Sequence, residues 1–233
     1  MQQSESPQKP RGLVLVRKPD RNPTRAERLE LWLSNGRTID GLWVGSREAE
    51  PYTALRRVED ALQLIKRSDR LNHSRVTRNL GRIWVHLIPH ALAHYSPPLN
   101  ACALDERFVL QDTTTRERLA STIIHETTHA RLAGWGIDYE EKKRASIEAI
   151  CLRRELNFLK RFPSTAPLQE EITHTLEWYT ATQDYFSEAN FQERDEQGQI
   201  ETLRYLDAPE WFVTIVMWFI RWRHRRAAAS QER

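Results

Sequence analysis

His125-Glu126-Thr127-Thr128-His129 decides how this chain is read, because an HExxH on a helix is a zinc-site pattern. Histidines at i and i+4 lie one turn apart on one helix face, so both imidazoles can reach a single metal ion. Glu126 sits one step round the helix, close enough to reach a metal-bound water without being a ligand. Composition alone would produce such a string in roughly one chain of this kind in forty, so its context has to raise the odds.

The flanking residues do so. Residues 114–133 are predicted to be a helix, with Thr114 and Glu117 as a capping box and Leu119, Ala120, Ile123 and Ile124 as the apolar stripe leading into the motif. Gly134-Trp135-Gly136 supplies the stop, since glycine readily takes the left-handed position after a helix. A second helix is expected over 139–161 behind another capping box, Asp138-x-x-Glu141, with Ala145, Ala149, Leu152, Leu156 and Leu159 on its core face. Glu148 lies about 60 degrees from the centre of that face. A carboxylate there needs solvent, a neighbour such as Arg144, or a metal ion to offset its desolvation. Glu140 and Glu141 are already explained by the helix dipole. Glu155, two turns further on, is the rival ligand. Glu148 wins on spacing, because a short Gly-Trp-Gly turn between antiparallel helices brings it back over the motif.

This arrangement resembles the zincin metallopeptidases, and among them the gluzincins, which join the two motif histidines to a glutamate from the following helix. Thr122 and Ile123 before the motif, Thr127 and Thr128 within it and Ala130 after it fit the extended pattern. Arg131 departs from it, and no third histidine follows at the metzincin spacing. The likeness covers residues 80–162. It implies Zn2+ held by His125, His129 and Glu148, a zinc-activated water with Glu126 as general base, and a peptide or protein substrate. It also implies a downstream oxyanion donor, for which His174, Tyr179 and Tyr185 all stand open. The expected fold is α+β, a helix-dominated zincin-like domain with a small sheet above the HExxH helix. The edge strand of that sheet would pair with extended substrate. The expected function is a zinc-dependent hydrolase, a metallopeptidase first. The alternative is a zinc-stabilised binding or structural protein without turnover, against which the intact Glu126 argues.

Strands are expected at 83–88, between Gly81 and Pro89, and at 108–111, with Pro97-Pro98-Leu99-Asn100 breaking the chain between them. The run His86, His90, His94 is interrupted by Pro89 and reads as ordinary solvated or hydrogen-bonded histidines. Upstream, a strand is expected at 13–16, a short helix from Thr24-x-x-Glu27 to Asn35-Gly36, and a strand at 41–45. An amphipathic helix follows over 51–65, with Leu55, Val58, Leu62 and Ile65 on one side.

The 233 residues divide by these signals into a basic disordered tail (1–12), an N-terminal α/β region (13–79), the metal-binding core (80–162) and a C-terminal helical region (163–233) with an apolar helix at 208–224. Cys102 and Cys151 form no disulfide framework and no export signal is visible, so a cytoplasmic setting is expected, with attachment to a membrane surface open. Residues 211–220 are apolar on almost every face and are followed by Arg221, Arg223, His224, Arg225 and Arg226. Ten helical residues span about 15 Å, half a bilayer core, so the segment is read as packing into the core, on a protein partner or on a membrane surface, the first two preferred. A net charge of +3 and a short terminal arginine run give no reason to expect specific nucleic-acid binding. Oligomeric state has no signature in the sequence.

Overall fold

The computed structural model describes residues 22–231, apart from 51, 90 and 182. The expected tail at 1–12, the strand at 13–16 and His90 lie outside the described residues. The fold is α+β and rich in helix, with one mixed five-stranded sheet.

The strands are β1 (Asn35–Ile39), β2 (Leu42–Ser46), β3 (Arg82–His86), β4 (Ala93–Ser96) and β5 (Ala101–Asp105), in the spatial order β1-β2-β3-β5-β4. Asp40 and Gly41, at φ of 50° and 84°, form the two-residue Asp-Gly turn that joins β1 to β2. β2, β3 and β5 are parallel, and β4 closes the row as an antiparallel edge. Every residue of β5 is buried, as befits a strand covered on both faces. Gly36 and Gly45 are dictated by Trp43, whose ring would meet a Cβ at 2.5 and 2.0 Å.

The helices are α1 (Arg25–Trp32), α2 (Thr53–Ser68), α3 (Arg70–Asn79), α4 (Glu106–Leu110), α5 (Arg116–Gly134), α6 (Glu141–Leu159), α7 (Ala166–Ala181), α8 (Glu188–Tyr205) and α9 (Glu210–Gln231). α5 is the central helix, packed by α2, α3 and α6 and by the strands β4 and β5. Val58, Leu62 and Ile65 of α2, Leu119 and Ile123 of α5, Ile83 and Val85 of β3, and Phe158 and Leu159 of α6 share one core.

Several boundaries differ from the sequence reading, each for a local reason. The expected strand at 108–111 is the end of α4. Asp105 accepts hydrogen bonds from the backbone N–H of Arg107 and Phe108 and so caps a helix, which buries Phe108 and Val109 without a strand. α1 keeps its Thr24–Glu27 capping box but stops at Trp32, because Asn35 and Gly36 already belong to β1. α5 is capped by Thr115, not Thr114: Thr115 Oγ1 accepts from Arg118 N–H at 3.1 Å, while Thr114 is buried in the preceding turn, its N–H on Gln111 O. The stop behaves as expected, with Gly136 at φ 74° and a Schellman pair from Gly136 N to Ala133 O and Ile137 N to Leu132 O. The Asp138–Glu141 box does not form. Glu140 occupies the N-cap of α6 without a side-chain bond.

The apolar C-terminal helix does not enter the core. α9 runs to Gln231, packs against α8, and buries Val213 and Met217 while Trp211, Ile215 and Trp218 stand in solvent. Aliphatic and aromatic residues on every side of a helix cannot all be covered by one neighbouring helix. Among the described residues no helix is long and apolar enough to cross a membrane.

Asp105 ties three segments together. Beside its capping role Asp105, itself 2% exposed, accepts from Ile88 N–H at 2.9 Å and pairs with the half-buried Arg107 at 2.8 Å. Asp105→Ala should cost about 3 kcal/mol in urea unfolding, because it strands a guanidinium and several N–H groups. A loss below about 1 kcal/mol would show that the β5–α4 junction is held by packing alone.

Candidate metal centre

Antiparallel packing of α5 on α6 brings the motif against the second helix. α5 contributes His125, Glu126 and His129; α6 contributes Glu148, Cys151 and Glu155, and all six are buried. The sequence placed Glu148 at the margin of an alanine-leucine face. In the fold the buried face of α6 is Arg144, Ile147, Glu148, Cys151, Leu152, Glu155, Phe158 and Leu159, whereas Ala145, Ala149 and Leu156 are only half-buried. The helix is rotated so that its acidic residues face the histidines.

Three donor groups converge. His125 Nε2 and His129 Nε2 are 3.2 Å apart, His125 Nε2 is 3.3 Å from Glu148 Oε2, and His129 Nε2 is 3.4 Å from Glu148 Oε1. Donors around a tetrahedral zinc with bonds of about 2.0–2.1 Å stand about 3.3–3.4 Å apart, so the three edges match one shared ion. A second grouping, His125, His129 and Cys151, has its donor atoms within 4.8 Å of one another, a looser bound than the 3.2–3.4 Å edges of the His-His-Glu triangle. The His-His-Glu triangle is therefore the better metal cradle, and Cys151 forms its wall.

The charges of the pocket fit a cation independently of these distances. Glu126, Glu148 and Glu155 are enclosed around two imidazoles, and carboxylates so placed need positive charge to offset desolvation. Burial pushes the Glu126 carboxyl up to about 7 against the pull of His129 and His125. Burial also works to raise Glu148, but the charge and hydrogen bonds of His129 and His125 outweigh it and hold that carboxyl well below the usual range. His125 is lowered by burial yet driven well above its ordinary value by Glu148 and Glu155, which grip a proton there as they would a metal ion. Both oxygens of Glu126 are buried without a hydrogen-bond partner in the protein. The residues present fit a zinc ion.

Glu155 is not a competing ligand here. Its Oε2 lies 3.2 Å from His125 Nδ1, and its Oε1 accepts from Ser121 Oγ at 2.8 Å. A carboxylate on Nδ1 fixes the imidazole tautomer and leaves the Nε2 lone pair facing the cradle.

The downstream residues are sorted by the fold. His174 is exposed on α7, on the side opposite the buried Ile172, Thr175 and Tyr179, and is not brought to the centre. Tyr179 and Tyr185 are buried beside Phe186, and their hydroxyls are raised by burial and by the nearby Glu148 charge, with Arg194 working against this. The Tyr179 hydroxyl has no hydrogen-bond partner in the protein. The tyrosine in direct contact is one the sequence reading used only to mark a helix start. Tyr139 donates its hydroxyl to Glu148 Oε1 and sets its ring edge-on to His129 at 5.6 Å. Its place at the mouth of the α5–α6 turn was the available signal.

A pocket of about 420 Å3 reaches this centre along His129 and Tyr139, walled by Leu132, Ile147, Pro97 and Tyr95 of the edge strand β4. Comparisons of the chain with protein-family models, with curated proteins and with solved structures return no match.

Elemental mass spectrometry of untagged protein should find about one zinc per chain. Glu148→Ala should abolish it, whereas Glu155→Ala should weaken affinity about 10- to 100-fold without removing the site. Equal losses in both variants would make Glu155 a ligand rather than an orienting group. In metal-free protein Glu126→Gln should stabilise the fold. A carboxyl raised from 4.5 to about 7 makes the native state lose stability as pH rises across that window, by roughly 3 kcal/mol in all. The gap between variant and parent should widen from pH 4.5 to 7 and then level off. A pH-independent gap in thermal melts would refute the raised Glu126.

Proposed function

We propose that the chain is a zinc-dependent hydrolase, and specifically a metallopeptidase acting on a peptide or protein substrate. One observation carries the reading. A His-His-Glu triangle of metal-ligand dimensions is paired with a buried carboxyl, Glu126, that belongs to no hydrogen bond and titrates at about 7. A site that only held a fold together would have no use for such a base.

His125, His129 and Glu148 would hold the metal, leaving a fourth position open. A zinc ion bound there supplies Lewis acidity and lowers the pKa of water towards about 7. Glu126 would accept the proton of the attacking water and return it to the leaving nitrogen. Glu155 keeps His125 in one tautomer, and Tyr139 pins the Glu148 carboxylate from the pocket side. Peptide as the substrate class draws support from β4, the outer strand of the sheet, whose Tyr95 lines the pocket beside His129. An edge strand can hold an extended chain through main-chain hydrogen bonds, whatever its sequence. The likeness of motif and following helix to the gluzincins agrees with this chemistry.

A specific observation favours the alternative of a zinc-stabilised binding or structural protein. Glu126 and Glu148 are 0% exposed and the ligand triangle meets the pocket only at His129. Turnover requires the Tyr139 side of the pocket to admit a carbonyl group next to that triangle. A cytoplasmic setting belongs to the same proposal, supported by two cysteines that are both free and buried.

Glu126→Gln separates the readings. It should reduce hydrolysis of a denatured-protein or peptide-library substrate by at least about 100-fold while zinc content is unchanged. In the parent enzyme kcat/KM should fall at acid pH, because the base is then protonated. Turnover that survives Glu126→Gln would sink the peptidase reading.

A further inference from the structure

The fold leaves one face of α9 apolar and uncovered. Trp211, Ile215 and Trp218 recur at i, i+4 and i+7 and are 65%, 55% and 61% exposed. With Phe212 beside them they form a stripe about 120 degrees wide, on the side of the helix away from the buried Val213 and Met217. By spacing, Trp222 continues the series. The charge that follows has one sign. Between 211 and 231 the sequence has no Asp or Glu, and it has Arg221, Arg223, Arg225 and Arg226. Arg221 pairs with Glu196 of α8 at 3.0 Å, which leaves three further arginines in a stretch of α9 that contains no acid of its own.

We propose that α9 is an interfacial helix that docks the protein on an anionic phospholipid surface. Its tryptophan-rich stripe would enter the boundary between headgroups and acyl chains, and its arginines would meet the lipid phosphates and carboxylates. Tryptophan rings prefer that boundary, and a helix that joins them to a cluster of arginines is built to lie in it rather than cross it. The absence of any spanning helix among the described residues agrees. A second copy is a poorer occupant. Helices paired through this stripe would oppose arginines with arginines in parallel, and in antiparallel would offer them the single acid Glu210. The alternating charges that register a helix pair are missing. The inference is independent of the metal centre and holds for an enzyme or a binding protein alike.

The test is flotation of the full-length protein with vesicles of phosphatidylcholine, with and without phosphatidylserine. Flotation should require the anionic lipid and weaken at high salt. It should be lost in Trp211→Ser/Trp218→Ser and fall roughly fivefold for each of Arg223→Gln and Arg225→Gln, since each arginine contributes separately to attraction by the anionic surface. Far-UV circular dichroism and zinc content should stay at parental values, because the two tryptophans lie outside the core. Failure to float with either vesicle, or flotation indifferent to all these changes, would overturn the proposal. So would binding to polyglutamate without vesicle binding, which would mark an acidic protein partner. Dimerisation in sedimentation that the tryptophan pair abolishes, without flotation, would identify a second copy and overturn it as well.

Discussion

The contact between α5 and α6 is made across a buried polar layer, and the rest of the molecule is arranged around that requirement. Helices usually meet through aliphatic ridges. Here the middle of the interface holds two imidazoles and the carboxylates of Glu126, Glu148 and Glu155, while Leu119, Ile123, Phe158 and Leu159 supply apolar packing in the same helix pair. Such a layer is tolerable only if each group has a counterpart. Glu155 has Ser121 and His125, and Glu148 has both histidines and Tyr139. Glu126 alone has no hydrogen-bond partner for either oxygen within the protein.

The sheet serves this layer by fixing α5. β5 and β4 pack directly against the helix, and the Asp105 cap turns the chain from β5 into the short α4 that leads to it. β4, reversed at the edge through the Pro97–Leu99 turn, reaches the pocket with Tyr95. An antiparallel edge strand is thereby set beside the buried carboxylates and imidazoles of the α5–α6 layer.

Different residues were legible to different degrees. Strong local chemistry showed through: the Thr24–Glu27 box, the Schellman stop at Gly136 and the amphipathic α2 all follow from a few neighbouring residues. Where two local readings competed, the sequence alone favoured the wrong one. Phe108-Val-Leu looks like a strand until Asp105 is seen capping it. Thr114 looks like the cap until its burial is known and Thr115 is seen accepting from Arg118 N–H. The apolar run of α9 satisfied every criterion for a core helix except that no second surface is there to cover it.

His125, Glu126 and His129 were determined by sequence, because a helix fixes the relation between i and i+4 whatever surrounds it. Glu148 as their partner was legible too, through the short turn that forces the helices to run back along each other. The rotation of α6 about its own axis was not legible. Apolar periodicity put the centre of its face on alanines and leucines, whereas packing placed Glu148, Cys151 and Glu155 there. In the packed structure Glu155 meets His125 at Nδ1, on the far side of the ring from Glu148, Tyr139 rather than His174 touches Glu148, and Glu126 is fully enclosed. Local spacing sets positions along one helix. The angle between two helices is settled only when all their neighbours pack at once.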